Sequence, residues 1–407
     1  MPSVPRIACA TSYGTVMMGR SWKARCPLEH AMASLRMCIM RMPVSRIDAG
    51  DMRDMRRAYA HVSVRMADSL RSMLDSMNIR LWFAGARPKT WPASIAPVLV
   101  GAAMAYVRLT QVGTCIEINP EPAECTTNRA QQSVLLGHFW PVFALCVLVA
   151  LLLQIAVNYA NDYSDGIRGV DAGRDKEELA QRDAGQVRGH DTKPQRLVAS
   201  GVPPKQVLMA AGIAAGLACV CGLAAMLISQ AWWLLAVGAL SLVAGWFYTG
   251  GRHPYGYAGF GELGVFLFFG LAAVLGTEYA LSGTVDGMGV AAAVCCGLNA
   301  VMLLMINNLR DVEEDRGHGK RTLAVRLGEH NAGILLTVCC VIAWMIGAFV
   351  CMALWMPWGA VLLISGVGVP VRMVLSVPKR RFRTAFNDAG FQTSFFAVVV
   401  VVSALVM

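Results

Sequence analysis

The sequence predicts an all-α protein that threads a membrane about nine times. Three observations lead there. Hydrophobic residues make up 56% of the 407, and charged residues only 15%, against roughly 25% charged in a soluble domain. Mean hydropathy is +0.50, which is more apolar surface than a 43.8 kDa globule can bury, so lipid must be the solvent for much of it. The apolar residues also fall into stretches of about 17–25, the length a ~30 Å hydrocarbon layer requires. Disorder, a collagen-like repeat and an ordinary cytosolic enzyme are excluded on the same grounds.

The nine stretches run roughly 92–109, 138–160, 206–229, 231–248, 260–281, 288–308, 332–355, 358–376 and 390–406. The second is the clearest, with no charge from Phe139 to Tyr159. The first carries Pro92 and Pro97 near its start, where a first helical turn tolerates proline. The third and fourth are separated by almost no loop. Gln154 and Asn299 lie deep in spans, where interhelical hydrogen bonding is the expected use of an amide.

Charge gives the orientation. The net charge is +10. If the N-terminus is cytoplasmic, the inner segments 1–91, 161–204, 249–259, 309–331 and 377–389 hold 32 of the 36 Lys and Arg, as the positive-inside rule requires. Nine spans then place the C-terminus outside a cell (plasma) membrane. This accounts for the basic balance without nucleic acid. The 13 cysteines and seven histidines form no C-x-x-C or H-x-x-x-H pattern, so a zinc or redox site has no support.

Two domains are expected. Residues 81–407 are the intramembrane domain. Residues 1–80 are Arg- and Met-rich, with no apolar span and no signal-peptide core. They read as a disordered tail, an amphipathic surface segment, or sequence upstream of a later start at Met66, Met73 or Met77. The outer loop 110–137 holds Cys115 and Cys125, which could pair on an oxidising side or stay as free thiols.

Two acidic motifs stand where charge is costly. NYANDYSDGIRGVD, residues 158–171, lies at the inner end of the second span, and NNLRDVEEDRGHGKRTLAVRLG, residues 307–328, at the inner end of the sixth. If the helices continue, Asn158 and Asp162, Asp162 and Asp165, and Asp311 and Asp315 share faces at i,i+3 or i,i+4. Like charges at that spacing repel by about 0.2–0.5 kcal/mol in water, so something should offset them. Carboxylate oxygens suit Mg2+, which binds through one or two carboxylates, waters and substrate phosphates. Arg168, Lys193, Arg196, Lys320 and Arg321 lie close by in sequence. Carboxylates for Mg2+ beside Lys and Arg describe a diphosphate site. A single such motif reads as a solvated helix end; two on spans that end on the same side argue for a site. An acidic ion path of a transporter or channel is the rival class, but the outer halves lack acids except near Glu278, so no continuous path is drawn.

At these residues the chain resembles the UbiA superfamily of intramembrane aromatic prenyltransferases, and within it the 1,4-dihydroxy-2-naphthoate polyprenyltransferases of menaquinone synthesis. The resemblance is carried by ARPKTWPASIAPVLVG (86–101), NYANDYSDGIRGVD (158–171), RLVASG (196–201), YTGGRHPYGYAGFGELGVFLFFG (248–270) and GKRTLAVRLG (319–328). It departs from the family in a longer loop 172–195 and in Lys193-Pro194-Gln195 before RLVASG.

The resemblance implies a UbiA-type bundle and an enzyme that transfers a polyprenyl group from polyprenyl diphosphate to 1,4-dihydroxy-2-naphthoate, with loss of CO2 and diphosphate, giving demethylmenaquinone. It implies Mg2+ as cofactor, held by Asp162, Asp165, Asp311 and Asp315, which are also the catalytic residues. Lys320, Arg196, Arg168 and Asn158 are expected to bind diphosphate, and Arg87, Lys89, Tyr248 and Glu262 to bind substrate. Arg87 and Lys89 also fit plain positive-inside anchoring, and the glycines of 249–261 a tight turn. Another aromatic acceptor, 4-hydroxybenzoate or homogentisate, is the alternative within the fold. A water-excluding cap is expected from 249–261 or 309–331.

Overall fold

The computed structural model describes residues 79–111, 122–169 and 196–407, with side chains for 79–110, 132–169 and 196–407. The expectations for the N-terminal extension, for Cys115 paired with Cys125, and for Lys193 lie outside the described residues. Described residues are helices and their connections, with no strand among them. In chain order the helices are α1 (Ile79–Gly85), α2 (Trp91–Gln111), α3 (Pro122–Ile167), α4 (Pro204–Ser229) and α5 (Leu234–Thr249). They continue as α6 (Gly261–Ser282), α7 (Gly287–Arg310), α8 (Val312–Gly317), α9 (Leu323–Leu354), α10 (Trp358–Ser365), α11 (Gly368–Ser376) and α12 (Phe382–Val406).

Among the described residues eight spans are long and apolar enough to cross a membrane, counting α1 with α2 and α10 with α11 as one each. The shorter apolar α5 is the ninth. Every expected span coincides with a helix. Their ends differ, because the sequence carries both breaks and extensions. The first span is interrupted at Arg87, which takes a left-handed φ of 51°, and by a 3-10 turn at Pro88–Thr90. α3 runs on through the first acidic motif to Ile167. α7 stops at Arg310, and Asp311 sits in the joint before α8. The eighth span breaks between Ser365 and Gly368.

α2, α7 and α12 form the middle of the bundle, with α9 against α7 and α3 against α4. α6 crosses α7 closely. A Cβ on Gly270 would fall 2.5 Å from the Cα of Gly297, and one on Gly297 would fall 2.6 Å from the Phe266 ring. Only glycine fits both sides of that contact, a device of membrane helix packing. Between them α6 adopts a π-helical stretch, Phe266–Ala272, a distortion often found near functional sites. Asn299 accepts a hydrogen bond from Gln392 of α12 at 2.8 Å, the interhelical use expected of it. Gln154 instead donates to Asn158 one turn along its own helix, at 3.2 Å.

The ends of the bundle differ in chemistry. At one end Arg108 pairs with Asp286 at 3.1 Å, and Asp286 caps α7 through the Gly289 amide at 2.8 Å. Glu278 is wholly buried nearby, against the Cα of Gly289. At the other end the acidic motifs and most of the described basic residues gather.

Candidate active site

A cavity of about 1280 Å³ opens at the charged end and extends into the bundle between α3, α4, α5 and α6. Its polar part is built by two helix ends and two connecting segments. α3 contributes Asn158, Asn161 and Asp165 to the lining, which at 3.6 residues per turn lie on one stripe. The α7–α8 joint contributes Asn307, Asn308, Asp311 and Asp315. Breaking the helix at Asp311 does not part its two acids, because the Asp315 amide still donates to the Asp311 carbonyl at 2.8 Å.

Lys320 joins the two motifs. Its ammonium lies 3.4 Å from Asp165 Oδ1 and 3.8 Å from Asp315 Oδ1. The turn that places it is closed by its own amide donating to the Asp315 carbonyl at 2.8 Å. Gly319, at φ 73°, supplies the left-handed residue that the turn requires. Arg196 approaches the other oxygen of Asp165 at 3.6 Å. Arg87 and Lys89, on the break in the first span, also line the cavity. Asn158 fixes that break, donating to the Ala86 carbonyl at 2.9 Å and to Thr90 Oγ1 at 3.2 Å.

Three expected site residues stand one layer behind. Asp162 is 1% exposed, and its Oδ2 accepts the Leu197 amide at 2.7 Å. It thereby tethers the segment that carries Arg196. Arg168 donates to the carbonyls of Thr249 and Gly251 and stacks over Tyr257, 5.1 Å from the ring centroid. Glu262, buried at the start of α6, accepts from Asn308 Nδ2 at 2.7 Å, so it reaches the cavity through that amide. Tyr248 lines the cavity directly. Asp162→Ala is expected to cost about 1–3 kcal/mol of stability, because the buried Leu197 amide loses its acceptor. A fall in the thermal midpoint of purified protein is the check.

The two segments from which a cap is expected, 249–261 and 309–331, are hydrogen-bonded to each other. The Arg321 amide donates to the Tyr257 carbonyl at 2.8 Å. Tyr257, in the 3-10 turn Tyr255–Ala258, donates its hydroxyl to Asp165. Burial first, and then the neighbouring Asp165, push the Tyr257 phenol well above the ordinary tyrosine range, so it stays a neutral donor. Sequence reasoning missed Tyr257 and Asn161. The Y-x-G-Y pattern of the loop gives no spacing signal for the first, but Asn161 sits on the same helical stripe as Asp165 and was open to detection.

Among the described residues no three His, Cys, Asp or Glu side chains converge into a preformed metal cage. The donor set is nonetheless hard oxygen from two helix ends around one opening. That fits Mg2+, which takes one or two protein carboxylates and completes its shell with water and substrate phosphate. Below the polar mouth the lining turns apolar, with Leu153, Leu223, Val237 and Phe268, and reaches Cys146 and Thr277. Asp165 and Cys146 are nineteen residues apart on α3, about 28 Å at 1.5 Å per residue. The cavity is shaped for a molecule with an anionic head and a long apolar tail.

Helices around such a cavity define an intramembrane enzyme or carrier of amphiphiles. The sequence model of the UbiA prenyltransferase family matches residues 134–398, and the chain belongs to that family. It is 40% identical over 326 residues to 1,4-dihydroxy-2-naphthoate octaprenyltransferase of Mycobacterium tuberculosis, covering 78% of this chain and 94% of that one. It is 36% identical over 260 residues to the enzyme of the same name from Escherichia coli, covering 62% of this chain and 70% of that one. Among solved structures, a UbiA homolog from Archaeoglobus fulgidus bound to DMAPP and Mg2+ superposes with a TM-score of 0.47 at 15% identity, covering 80% of this chain and 99% of that one.

Proposed function

We propose that this chain transfers a polyprenyl group from polyprenyl diphosphate to 1,4-dihydroxy-2-naphthoate, releasing CO2 and diphosphate and giving the demethylmenaquinone skeleton at the hydroquinone level. The observation that carries the reading is the Lys320 ammonium set between Asp165 and Asp315 at the mouth of a long apolar cavity. The names of the relatives supply the acceptor. The catalytic unit is residues 81–407, and no role is assigned to residues 1–80.

Asp165, Asp311 and Asp315, with Asn158 and Asn161, would hold Mg2+; Asp162 supports them from behind. The metal supplies charge neutralisation for the departing diphosphate. Lys320 and Arg196 carry fixed positive charge to the same place, where developing negative charge needs it. Arg168 holds the cap in position over the head. Arg87, Lys89 and Tyr248 face the acceptor, and Glu262 orients Asn308 beside it.

The allylic C–O bond breaks and its electron pair leaves with diphosphate. The ring carbon bearing the carboxylate donates a pair to the allylic carbon. The bond to the carboxylate then breaks, and its pair restores aromaticity as CO2 departs. Charge balances without removal of a proton, so this site needs no buried general base. Water must be kept from the allylic cation, which the joined caps favour.

We read the mouth as facing the cytoplasm across the cell membrane, with the C-terminus outside; the basic residues around it support this reading through the positive-inside rule. The test is mass spectrometry of the quinone product from membranes supplied with Mg2+, a polyprenyl diphosphate and equal amounts of the naphthoate, 4-hydroxybenzoate and homogentisate. The expected product is the prenylated, decarboxylated naphthoquinone alone. Prenylated benzoate or homogentisate in its place would replace the acceptor assignment. Chelation by EDTA is expected to lower turnover at least about 100-fold, with recovery on adding Mg2+.

A further inference from the structure

Tyr257 lies outside both acidic motifs, yet it contacts several groups of the polar mouth. Its hydroxyl donates to Asp165. Its ring lies 4.4 Å from the Lys320 ammonium and 5.1 Å from the Arg168 guanidinium, measured to the ring centroid. Its carbonyl accepts the Arg321 amide. One side chain and its own peptide thus reach the first motif, the lysine that bridges to the second, and both cap segments.

The chemistry of these contacts differs in a useful way. A lysine ammonium has three N–H donors. A ring face attracts its charge through the quadrupole and consumes none of them. The ring therefore fixes the flexible lysine stem while leaving donors for Asp165, Asp315 and an oxygen of the bound head group. The hydroxyl does the complementary work on Asp165, holding one of its oxygens beside the same ammonium. Arg168 in turn secures the ring from the cap loop through the Thr249 and Gly251 carbonyls.

We propose that Tyr257 is a positioning residue for the diphosphate head of the donor: it presets Lys320 through its ring and Asp165 through its hydroxyl, and takes no part in acceptor binding. This rests on the prenyl-transfer reading above. Two variants separate the two contacts. Tyr257→Phe keeps the ring and loses the hydroxyl, and Tyr257→Leu loses both.

The KM for polyprenyl diphosphate is expected to rise about 10-fold in the Phe variant, the cost of one charged hydrogen bond. In the Leu variant it should rise roughly 30- to 100-fold, because the cation–π contact is lost too. The KM for the naphthoate stays within about twofold in both, since only donor contacts change. A second readout does not depend on turnover: calorimetry of inorganic pyrophosphate with Mg2+ on the purified protein should weaken in the same order. Pyrophosphate affinity unchanged in Tyr257→Phe, with an unshifted thermal midpoint, overturns the proposal, as does an equal rise in both KM values. If Tyr257→Leu does not fold, Tyr257→Phe decides alone. Wild-type protein that binds pyrophosphate but prenylates no naphthoate overturns the acceptor reading, and the pyrophosphate ranking of the variants still decides the role of Tyr257.

Discussion

Asp165→Asn is expected to lower kcat/KM about 100- to 1000-fold, the range found when one preorganised electrostatic contact at a developing charge is removed. Asp165 is the acid on which the mouth converges. It meets Lys320 at 3.4 Å and Arg196 at 3.6 Å, and it accepts the Tyr257 hydroxyl. The amide keeps shape and burial but removes the negative charge, so the cations lose their common partner and a hard oxygen donor becomes a poor one. Asp162→Asn should be milder, because the Leu197 amide can still find a carbonyl oxygen there. The measurement is steady-state turnover of both variants in membranes at saturating Mg2+, with folding checked by thermal melting. Turnover of Asp165→Asn within about threefold of wild type, in folded protein, would remove the diphosphate site from this end of the bundle.

Gly222→Trp is the second large effect. Gly222 lines the deep part of the cavity from α4. A Cβ there meets only the tips of Val149 and Met226, at 3.8 and 3.9 Å, so the backbone tolerates a side chain and an indole would project into open space. A prenyl tail arrives from lipid, not from water, so entering the cavity brings little hydrophobic gain. Fit alone decides which tails are accepted. Overpacking costs about 1–3 kcal/mol, or roughly 5- to 150-fold in kcat/KM. That loss should fall on octaprenyl diphosphate, whose tail, if it follows the cavity, is long enough to reach Gly222. Geranyl diphosphate, whose tail stops short of it, should keep its rate within about threefold. Equal losses on both donors would place the tail elsewhere.

The spans were legible because a bilayer imposes length and apolarity together, and each of the nine stretches became helix. The breaks were not. Arg87 in a left-handed conformation, the π-helical turn after Val265 and the joint at Asp311 are settled by tertiary contacts that a hydropathy pattern does not contain. The acid-rich stripe of α3 was legible as well, but not the direction of each member. Residues 158, 161, 162 and 165 share a broad face, and the Leu197 amide draws Asp162 away while Asn161 and Asp165 meet the cavity. Glu262 and Arg168 drew notice as charges beside the site, and they reach it through Asn308 and Tyr257. Periodicity names the stripe, and a neighbouring backbone hydrogen bond chooses among its residues.

The cavity's length of about 28 Å along α3 nearly equals the thickness of the hydrocarbon layer. A quinone with a tail longer than this keeps its distal end among the phospholipid chains throughout the reaction. The protein then grips only the portion nearest the ring, and departure requires lateral slippage back into the leaflet instead of extraction into water. Turnover should accordingly respond to acyl-chain order in the surrounding bilayer, and a donor short enough to be swallowed whole should be indifferent to it.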